Sequence, residues 1–80
     1  MTSSLHTQRY QVFRALLVEA REKAGLTQVE VAARLGKPQS YVSKYERGER
    51  RLDFTEFVEL AEVLSVDAAE FLFAYKALLG

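Results

Sequence analysis

The 80-residue sequence lacks cysteine altogether, and it has one histidine, one proline and no long apolar run. Without cysteine the chain forms neither disulfides nor thiolate metal sites, and a lone histidine has no companions for a metal site. A membrane span needs roughly 18 apolar residues, and the N-terminus also lacks the basic-then-apolar pattern of a signal peptide. We therefore expect a soluble, cytoplasmic protein without a metal, a cofactor, a membrane partner or a small-molecule ligand.

The scarcity of histidine and cysteine also argues against enzyme activity. The single histidine, His6, lies in the short polar start Met1–His6, which we expect to be frayed. The scattered serine and acidic residues then have no base with which to form a nucleophile–base–orienter set. A chain of this length makes one small domain, near the lower size limit for folding without a metal or a disulfide. We predict a non-enzymatic single domain covering residues 1–80.

The net charge is zero, with eleven basic and eleven acidic residues, but the charges are unevenly distributed. Segment 34–51 carries six cations and two anions, a net charge of +4. Segment 52–80 carries six anions and one cation, a net charge of −5, and the first 33 residues contribute +1. Because the local field rather than the net charge attracts phosphate, the basic segment keeps a nucleic-acid partner open.

Helical spacing of apolar residues from about Thr7 predicts a first helix, which Gly25 ends. These apolar residues are Phe13, Leu16, Leu17, Ala20 and Ala24. Three later helices share one start pattern, a capping box with an apolar residue on either side. Its capping pairs are Thr27 with Glu30, Asp53 with Glu56, and Asp67 with Glu70. The pattern predicts helices near 27–35, 53–64 and 67–79. With one more helix after the first of these, the fold is all-α with five helices.

The helix that follows Gly36 starts without a side-chain cap. Pro38 pre-sets φ for a first helical turn, but it has no side-chain oxygen to accept from the next amides. This helix is predicted to run from Gln39 to Arg47 and to end at Gly48. Its outer face carries polar and cationic side chains: Gln39, Ser40, Ser43, Lys44 and Arg47. Free N-terminal amides above such a face suit an anionic ligand, although polar residues at this spacing usually form a solvated face.

The last helix is apolar nearly all round, with Glu70 and Lys76 as its main polar residues. Such a helix must be buried on more than one side, and a domain of this size covers only part of it. We predict that Phe71, Leu72 and Tyr75 face inward. The other apolar positions are expected to meet a partner surface: Phe73, Ala77, Leu78 and Leu79.

Two helices joined by a short turn containing glycine form a helix-turn-helix, here at about 27–47. The pattern needs a small residue at the helix crossing, Ala32, and a turn residue that tolerates positive φ, Gly36. The stretch LTQVEVAARLGKPQSYVSKYERGER resembles the helix-turn-helix of the Xre-type (Cro and phage-repressor-like) DNA-binding family. The similarity continues through RLDFTEFVELAEVLSVDAAEFL and covers roughly residues 10–73. It implies a five-helix, phage-repressor-like domain that docks the helix beginning near Gln39 into the major groove.

Carried over position by position, the resemblance assigns roles to single side chains. Gln28 would contact a phosphate and buttress Gln39. The base-reading positions hold Gln39, Ser40 and Lys44, with Tyr41 and Ser43 beside them. The cations expected at backbone phosphates are Arg47, Arg50 and Arg51. The chemistry agrees, because glutamine pairs bidentately with adenine, lysine donates to guanine, and arginine suits phosphate.

Some neighbouring positions have structural interpretations instead. Tyr41 either contacts DNA or packs along the first helix, and Tyr45 belongs in the core. Glu46 is expected to pair with a nearby arginine. The family often has Ser or Thr where Pro38 stands, so a DNA phosphate taking the uncapped amides is a hypothesis for this chain.

Together these expectations describe a sequence-specific transcriptional regulator. It would bind double-stranded, pseudo-palindromic operator DNA as a homodimer, with residues 67–79 as the dimerisation helix. The alternative is a protein-interaction module, such as an antitoxin or adaptor, whose last helix binds a partner protein.

Overall fold

The computed structural model describes residues 7–80, which form five helices. In chain order they are α1 (Gln8–Lys23), α2 (Gln28–Leu35), α3 (Gln39–Glu46), α4 (Phe54–Val63) and α5 (Ala68–Leu79). This part of the chain contains no strand, which confirms the all-α, five-helix prediction. Each of its helices is too short or too polar to span a bilayer. The expectations for Met1–His6, including that for His6, concern residues outside the described range.

Most helix starts follow the capping residues that the sequence indicates. Thr27 and Asp53 each accept from the backbone N–H three residues later, and the glutamate there accepts from the N–H of the cap residue. At α5 only half of this box forms, because Asp67 accepts from the N–H of Glu70 at 2.9 Å without a return bond. The ψ angle of Asp67 is 122°, against 164° and 176° at the other two caps, so its own N–H is turned differently relative to the helix. The third capping box was therefore wrongly predicted.

The turn between α2 and α3 depends on Gly36, whose φ is 69°. The N–H of Lys37 donates to the carbonyl of Ala32 at 2.9 Å, which closes the end of α2 across the turn. At the far end of α3, Gly48 has a φ of 76°, and a Cβ there would lie 3.3 Å from the side chain of Arg14. Both glycines therefore occupy positions where a side chain would strain the backbone. They determine where α3 begins and ends and which way it runs. The helix ends at Glu46, one residue earlier than the predicted end at Arg47.

The core collects buried side chains from every helix. Its members are Leu17, Val31, Ala32, Val42, Tyr45, Leu60, Leu64 and Phe71. Val42 and Tyr45, from the inner face of α3, are fully buried, and for Tyr45 this confirms the prediction. Beside them, the rings of Phe13, Phe57 and Phe71 join α1, α4 and α5 at centroid distances of 4.9–5.8 Å. The inner face of α3 is thus held by the core.

The last helix packs against α1 and leaves much of its own surface uncovered. Phe71 is buried and Tyr75 is half-buried, as predicted. Leu72 is 54% exposed, so the prediction that it faces inward is wrong. It lies one residue, about 100°, around the helix from Phe71, and it lines an open groove of about 740 Å³ together with Phe54. The groove runs between the start of α1, the start of α4 and the start of α5.

A second apolar surface lies further along α5. Phe73 is 77% exposed and Leu78 is 63% exposed, while Ala77 is exposed and Leu79 is half-buried. These are the four residues predicted to meet a partner.

Candidate nucleic-acid interface

The outward face of α3 displays the side chains that the sequence assigns to base reading. Gln39, Ser40 and Lys44 are exposed. Ser43 is half-buried, and its hydroxyl donates to the carbonyl of Ser40 at 3.3 Å. Because the opposite face is anchored in the core, these side chains are presented by a fixed helix.

A buried ion pair holds the C-terminal end of α3 to α1. Arg21 donates through Nε to Oε2 of Glu46 at 2.7 Å and through Nη2 to Oε1 at 3.2 Å. Its Nη1 donates to the carbonyl of Leu26 at 2.9 Å. The hydrogen bond to Glu46 raises the pKa of Arg21 above its ordinary value. Since a forked guanidinium–carboxylate pair is directional, it fixes the rotation of α3 as well as its position. The structural pairing predicted for Glu46 is confirmed.

Gln28 joins this ion pair to the exposed face of α3. Its Nε2 donates to Oε1 of Glu46 at 2.9 Å, and its Oε1 accepts from Nε2 of Gln39 at 3.3 Å. The structure therefore places Gln28 against Gln39, as the resemblance implies. The contact of Gln28 with a phosphate stays a prediction.

The three candidate phosphate contacts differ in how far they are engaged. Arg47 pairs with Glu49 at 3.0 Å on an exposed surface, where such pairs contribute little. The guanidinium of Arg51 lies 4.9 Å from the ring centroid of Tyr10 and makes no ion pair within residues 7–80. Lys44 likewise makes no ion pair in that range. Arg51 and Lys44 thus differ from Arg47 in having no ion pair to break before they bind an anion.

The side chain of Arg50 is already paired with other residues of this domain. Its Nη1 and Nη2 donate to Oε1 and Oε2 of Glu56 at 3.2 and 2.9 Å. Its Cζ lies 4.6 Å from the ring centroid of Tyr41, so the guanidinium also stacks on an aromatic face. The hydrogen bonds from Arg50 lower the pKa of Glu56 to about 2. This arrangement ties the loop after α3 to the first turn of α4.

The two tyrosines of α3 pack edge to face, with ring centroids 5.9 Å apart. Tyr41 is half-buried between Tyr45 and Arg50, so its packing partners are these residues rather than the first helix alone. Tyr45 is fully buried, as predicted, and its hydroxyl has no hydrogen-bond partner among the described residues. Burial raises the pKa of Tyr45, which keeps the phenol neutral.

The polar residues of α1 that bind α3 and the loop after it were not predicted from the sequence. Arg14 donates through Nη1 to the carbonyl of Glu46 at 2.6 Å. The hydroxyl of Tyr10 accepts from the N–H of Leu52 at 2.9 Å and donates to the carbonyl of Arg50 at 3.3 Å. A signal was present, because Tyr10, Arg14, Leu17 and Arg21 follow one another at spacings of four, three and four along one stripe. No group of residues in 7–80 has the geometry to hold a metal ion.

Comparison with known proteins agrees with this geometry. A model of the family described as Helix-turn-helix matches residues 17–71. An uncharacterized HTH-type transcriptional regulator of Sinorhizobium fredii, y4dJ, is 46% identical over 50 residues, which make up 62% of this chain and 65% of that protein. The match thus covers just under two thirds of the length of that relative.

Solved structures share the fold over most of the chain. An XRE-family like protein from Pseudomonas syringae pv. tomato has a TM-score of 0.86 at 47% identity, covering 96% of this chain and 94% of its own. A mutant of the restriction–modification controller protein C.Esp1396I reaches 0.82 at 20% identity, over 99% and 95% of the two chains. The clp gene regulator ClgR from C. glutamicum reaches 0.77 at 21% identity, over 89% and 91%. At such low identity the last two show the fold alone.

The matched family is one of transcription regulators rather than a class of enzymes. The helix-turn-helix, the anchored α3 and these similarities agree: the chain belongs to the XRE-type helix-turn-helix family of DNA-binding transcriptional regulators.

Proposed function

We propose that this protein regulates transcription in the cytoplasm by binding a specific, pseudo-palindromic operator as a homodimer, with α3 in the major groove. The main support is the geometry of α3. Its inner face is fully buried, while Gln39, Ser40 and Lys44 stand exposed on the outer face. A solvated helix on the surface needs neither this anchoring nor the ion pair at its C-terminal end.

The side chains of this face match the chemistry of base edges. Gln39 has the donor and acceptor that adenine requires, and Lys44 is an unpaired donor for guanine O6 or N7. Arg51, beside the end of α3, supplies a cation for the DNA backbone. Phosphate contacts would provide most of the affinity and make it salt-dependent, while α3 provides the sequence preference.

The exposed apolar surface of α5 supports a homodimer. Phe73, Ala77 and Leu78 leave exposed apolar side chains on a very small domain, and a second copy can cover them symmetrically. In such a dimer the two α3 helices enter successive major grooves, about 34 Å apart.

Selection of bound sites from random double-stranded DNA tests the proposal. We expect an enriched motif with two-fold symmetry and half-sites one helical turn apart. A motif without symmetry would contradict the homodimer, and the absence of any motif would contradict sequence-specific binding.

The uncovered surface of α5 also favours a second candidate, a module that binds a partner protein as an antitoxin or adaptor does. That role predicts no selected motif, together with a partner whose binding is lost when the α5 surface is changed. A protein that selects a motif and retains its dimer in isolation would exclude a purely DNA-independent adaptor.

A further inference from the structure

A chain of hydrogen bonds runs from the buried ion pair to the exposed face of α3. It passes from Glu46 to Gln28 at 2.9 Å and from Gln28 to Gln39 at 3.3 Å. Arg21 closes its inner end, with its Nε and Nη2 both donating to the carboxylate of Glu46. The chain therefore connects a charged group that DNA does not touch with a side chain that lies on the proposed DNA-reading face.

The direction of this chain is fixed by its buried end. A carboxylate has no N–H and only accepts, so Gln28 must turn its amide nitrogen toward Glu46. The carbonyl oxygen of Gln28 then faces Gln39, and Gln39 must donate to it. An isolated glutamine pair could bond in either direction, because each amide holds a donor and an acceptor. Here the carboxylate removes that freedom.

The direction decides what Gln39 offers to a base. With one N–H held by Gln28, Gln39 keeps one N–H and an oxygen with both lone pairs, which fits the N7 acceptor and N6 donor of adenine. In the opposite direction Gln39 would accept from Gln28 and present two N–H donors, which fits the two acceptors of guanine. We propose that Glu46, with Arg21, is a positioning residue for base specificity, which sets Gln39 to prefer adenine over guanine. This inference rests on the proposed function.

Glu46→Gln is the variant that should reverse the chain. Arg21 donates most closely to the Oε2 position, at 2.7 Å, and an arginine offers no acceptor, so it should hold the amide oxygen of the new side chain. The new amide nitrogen would then face Gln28, turn the oxygen of Gln28 inward and direct its N–H groups at Gln39. We expect the ratio of affinities for adenine and guanine at the base pair read by Gln39 to fall by about tenfold.

Exchanging the two residues should restore the direction. In the double variant Glu46→Gln with Gln28→Glu, the amide at position 46 donates to a carboxylate at position 28. That carboxylate accepts from Gln39, as Gln28 does now. The adenine preference should return, even if the added negative charge lowers affinity for every sequence. A purely structural role of Glu46 predicts no such rescue.

The measurement is fluorescence anisotropy on matched adenine and guanine duplexes, at the base pair whose preference disappears in Gln39→Ala. Glu49→Gln is the matched control, since both carboxylate oxygens of Glu49 also accept from an arginine, but on an exposed surface and outside the chain, and it should leave the ratio unchanged. Circular dichroism checks that each variant is folded. If Glu46→Gln does not fold, Gln28→Leu breaks the chain without touching the ion pair, and it should also lower the ratio.

The outcomes separate this inference from the proposed function. A wild-type protein that selects no motif overturns both. A wild-type protein that prefers adenine, with folded Glu46→Gln or Gln28→Leu showing the same ratio, overturns this inference alone. A lowered ratio in Glu46→Gln that the double variant restores supports it.

Discussion

Lys44 and Arg51 carry the same charge at the same surface but are held differently. Lys44 lies exposed on the outer face of α3 and makes no ion pair in residues 7–80. Arg51 leaves the loop beyond α3 and lies over the ring of Tyr10. A cation on the reading helix can reach a base edge, whereas one on the loop is placed for the backbone. Under the proposed function, Lys44 would therefore contribute to specificity and Arg51 to affinity.

Replacing each with alanine should expose that difference. Lys44→Ala is expected to relax the preference at one or two base pairs and to cost about 1–3 kcal/mol on the preferred site. Arg51→Ala should weaken binding evenly on all sequences and flatten the salt dependence. Binding isotherms on preferred and substituted duplexes at several salt concentrations measure both effects. Equal loss on all sequences for Lys44→Ala, or a changed base preference for Arg51→Ala, would contradict these roles.

At the residue scale, sequence predicts which side chains face outward better than it predicts their partners. The exposure of Gln39 and the burial of Tyr45 follow from helical spacing alone. The partner of Glu46 is 25 residues away, and spacing within α3 carries no information about it. The hydroxyl of Tyr45, which has no hydrogen-bond partner in residues 7–80, also could not be predicted from the sequence, because it depends on how the core packs around the ring.

At the start of α3 the first backbone amides have no side-chain hydrogen-bond acceptor, unlike those of the other four helices in residues 7–80. The N–H of Tyr41 donates to the carbonyl of Pro38 at 3.0 Å, and the helix has no side-chain cap for the amides of Gln39 and Ser40. A DNA phosphate is suited to these amides, because the positive end of the helix dipole lies there.

Pro38→Ser should therefore shift stability and DNA binding in opposite directions. A serine cap is expected to raise the free energy of unfolding by about 1 kcal/mol, since it satisfies an amide in the free protein. It should also lower DNA affinity and reduce the salt slope, because the serine oxygen then competes with the phosphate for that amide N–H. Urea unfolding and salt titrations of DNA binding measure the two effects. Unchanged affinity and salt slope would contradict the phosphate contact.

The link between the loop after α3 and α4 should depend on pH. Arg50 holds the pKa of Glu56 at about 2, below its ordinary value of 4.5. A carboxyl with a lowered folded pKa stabilises the protein above its ordinary pKa, and this contribution is lost as the pH falls toward the folded value. Glu56→Gln keeps the capping bond that glutamine can also accept, but it loses the ion pair.

We expect Glu56→Gln to lower the free energy of unfolding by about 1 kcal/mol at pH 6, because the pair is partly exposed and screened by solvent. The difference from wild type should shrink as the pH is lowered from 5 to 2. Urea unfolding across this range measures it, with Glu59→Gln on the same helix as the matched control. A constant difference across the range would show that the ion pair is not the cause.

At the scale of elements, local chemistry predicts helix starts and ends, and it fails where the surroundings decide. Thr27 and Asp53 cap as predicted, since the box needs only four consecutive residues. Asp67 makes half of its box, and its ψ angle differs from those of the other two caps. Leu72 was misplaced because an apolar residue on an apolar helix gives no sign of which side its neighbours cover.

Across residues 7–80, a domain measuring 34 × 27 × 21 Å, exposed apolar side chains lie in two regions. One comprises the exposed apolar side chains of α5, including Phe73 and Leu78, and the other is the groove lined by Phe54 and Leu72. The proposed dimer uses the first surface. Sequence could indicate that α5 has more apolar faces than the core needs, but the groove depends on the packing of three helix starts.

A pair of matched substitutions distinguishes the two surfaces. Phe73→Glu should make the protein monomeric and weaken operator binding, because a charge then lies in the proposed interface. Phe54→Glu, equally exposed at 76% but on the groove, should leave the dimer intact. Sedimentation velocity with and without operator DNA measures both. If Phe54→Glu produced a monomer and Phe73→Glu did not, the result would show that the dimer interface lies at the groove.

The polar bonds from α1 have a consequence for the lifetime of the folded state. The hydrogen bonds of Arg21, Arg14 and Tyr10 join residues that are 25 to 42 positions apart in the sequence. In contrast, α2 and α3 are neighbours in the chain, are joined by a short turn and pack against each other. Long loops close late, so we expect α2 and α3 to pair early in folding and the bonds of α1 to form after the barrier. Arg14→Ala should then speed unfolding and leave the folding rate nearly unchanged, as stopped-flow kinetics would show. The hydrogen bonds that hold α3 in its orientation would thus also determine the lifetime of the folded state in which α3 keeps that orientation.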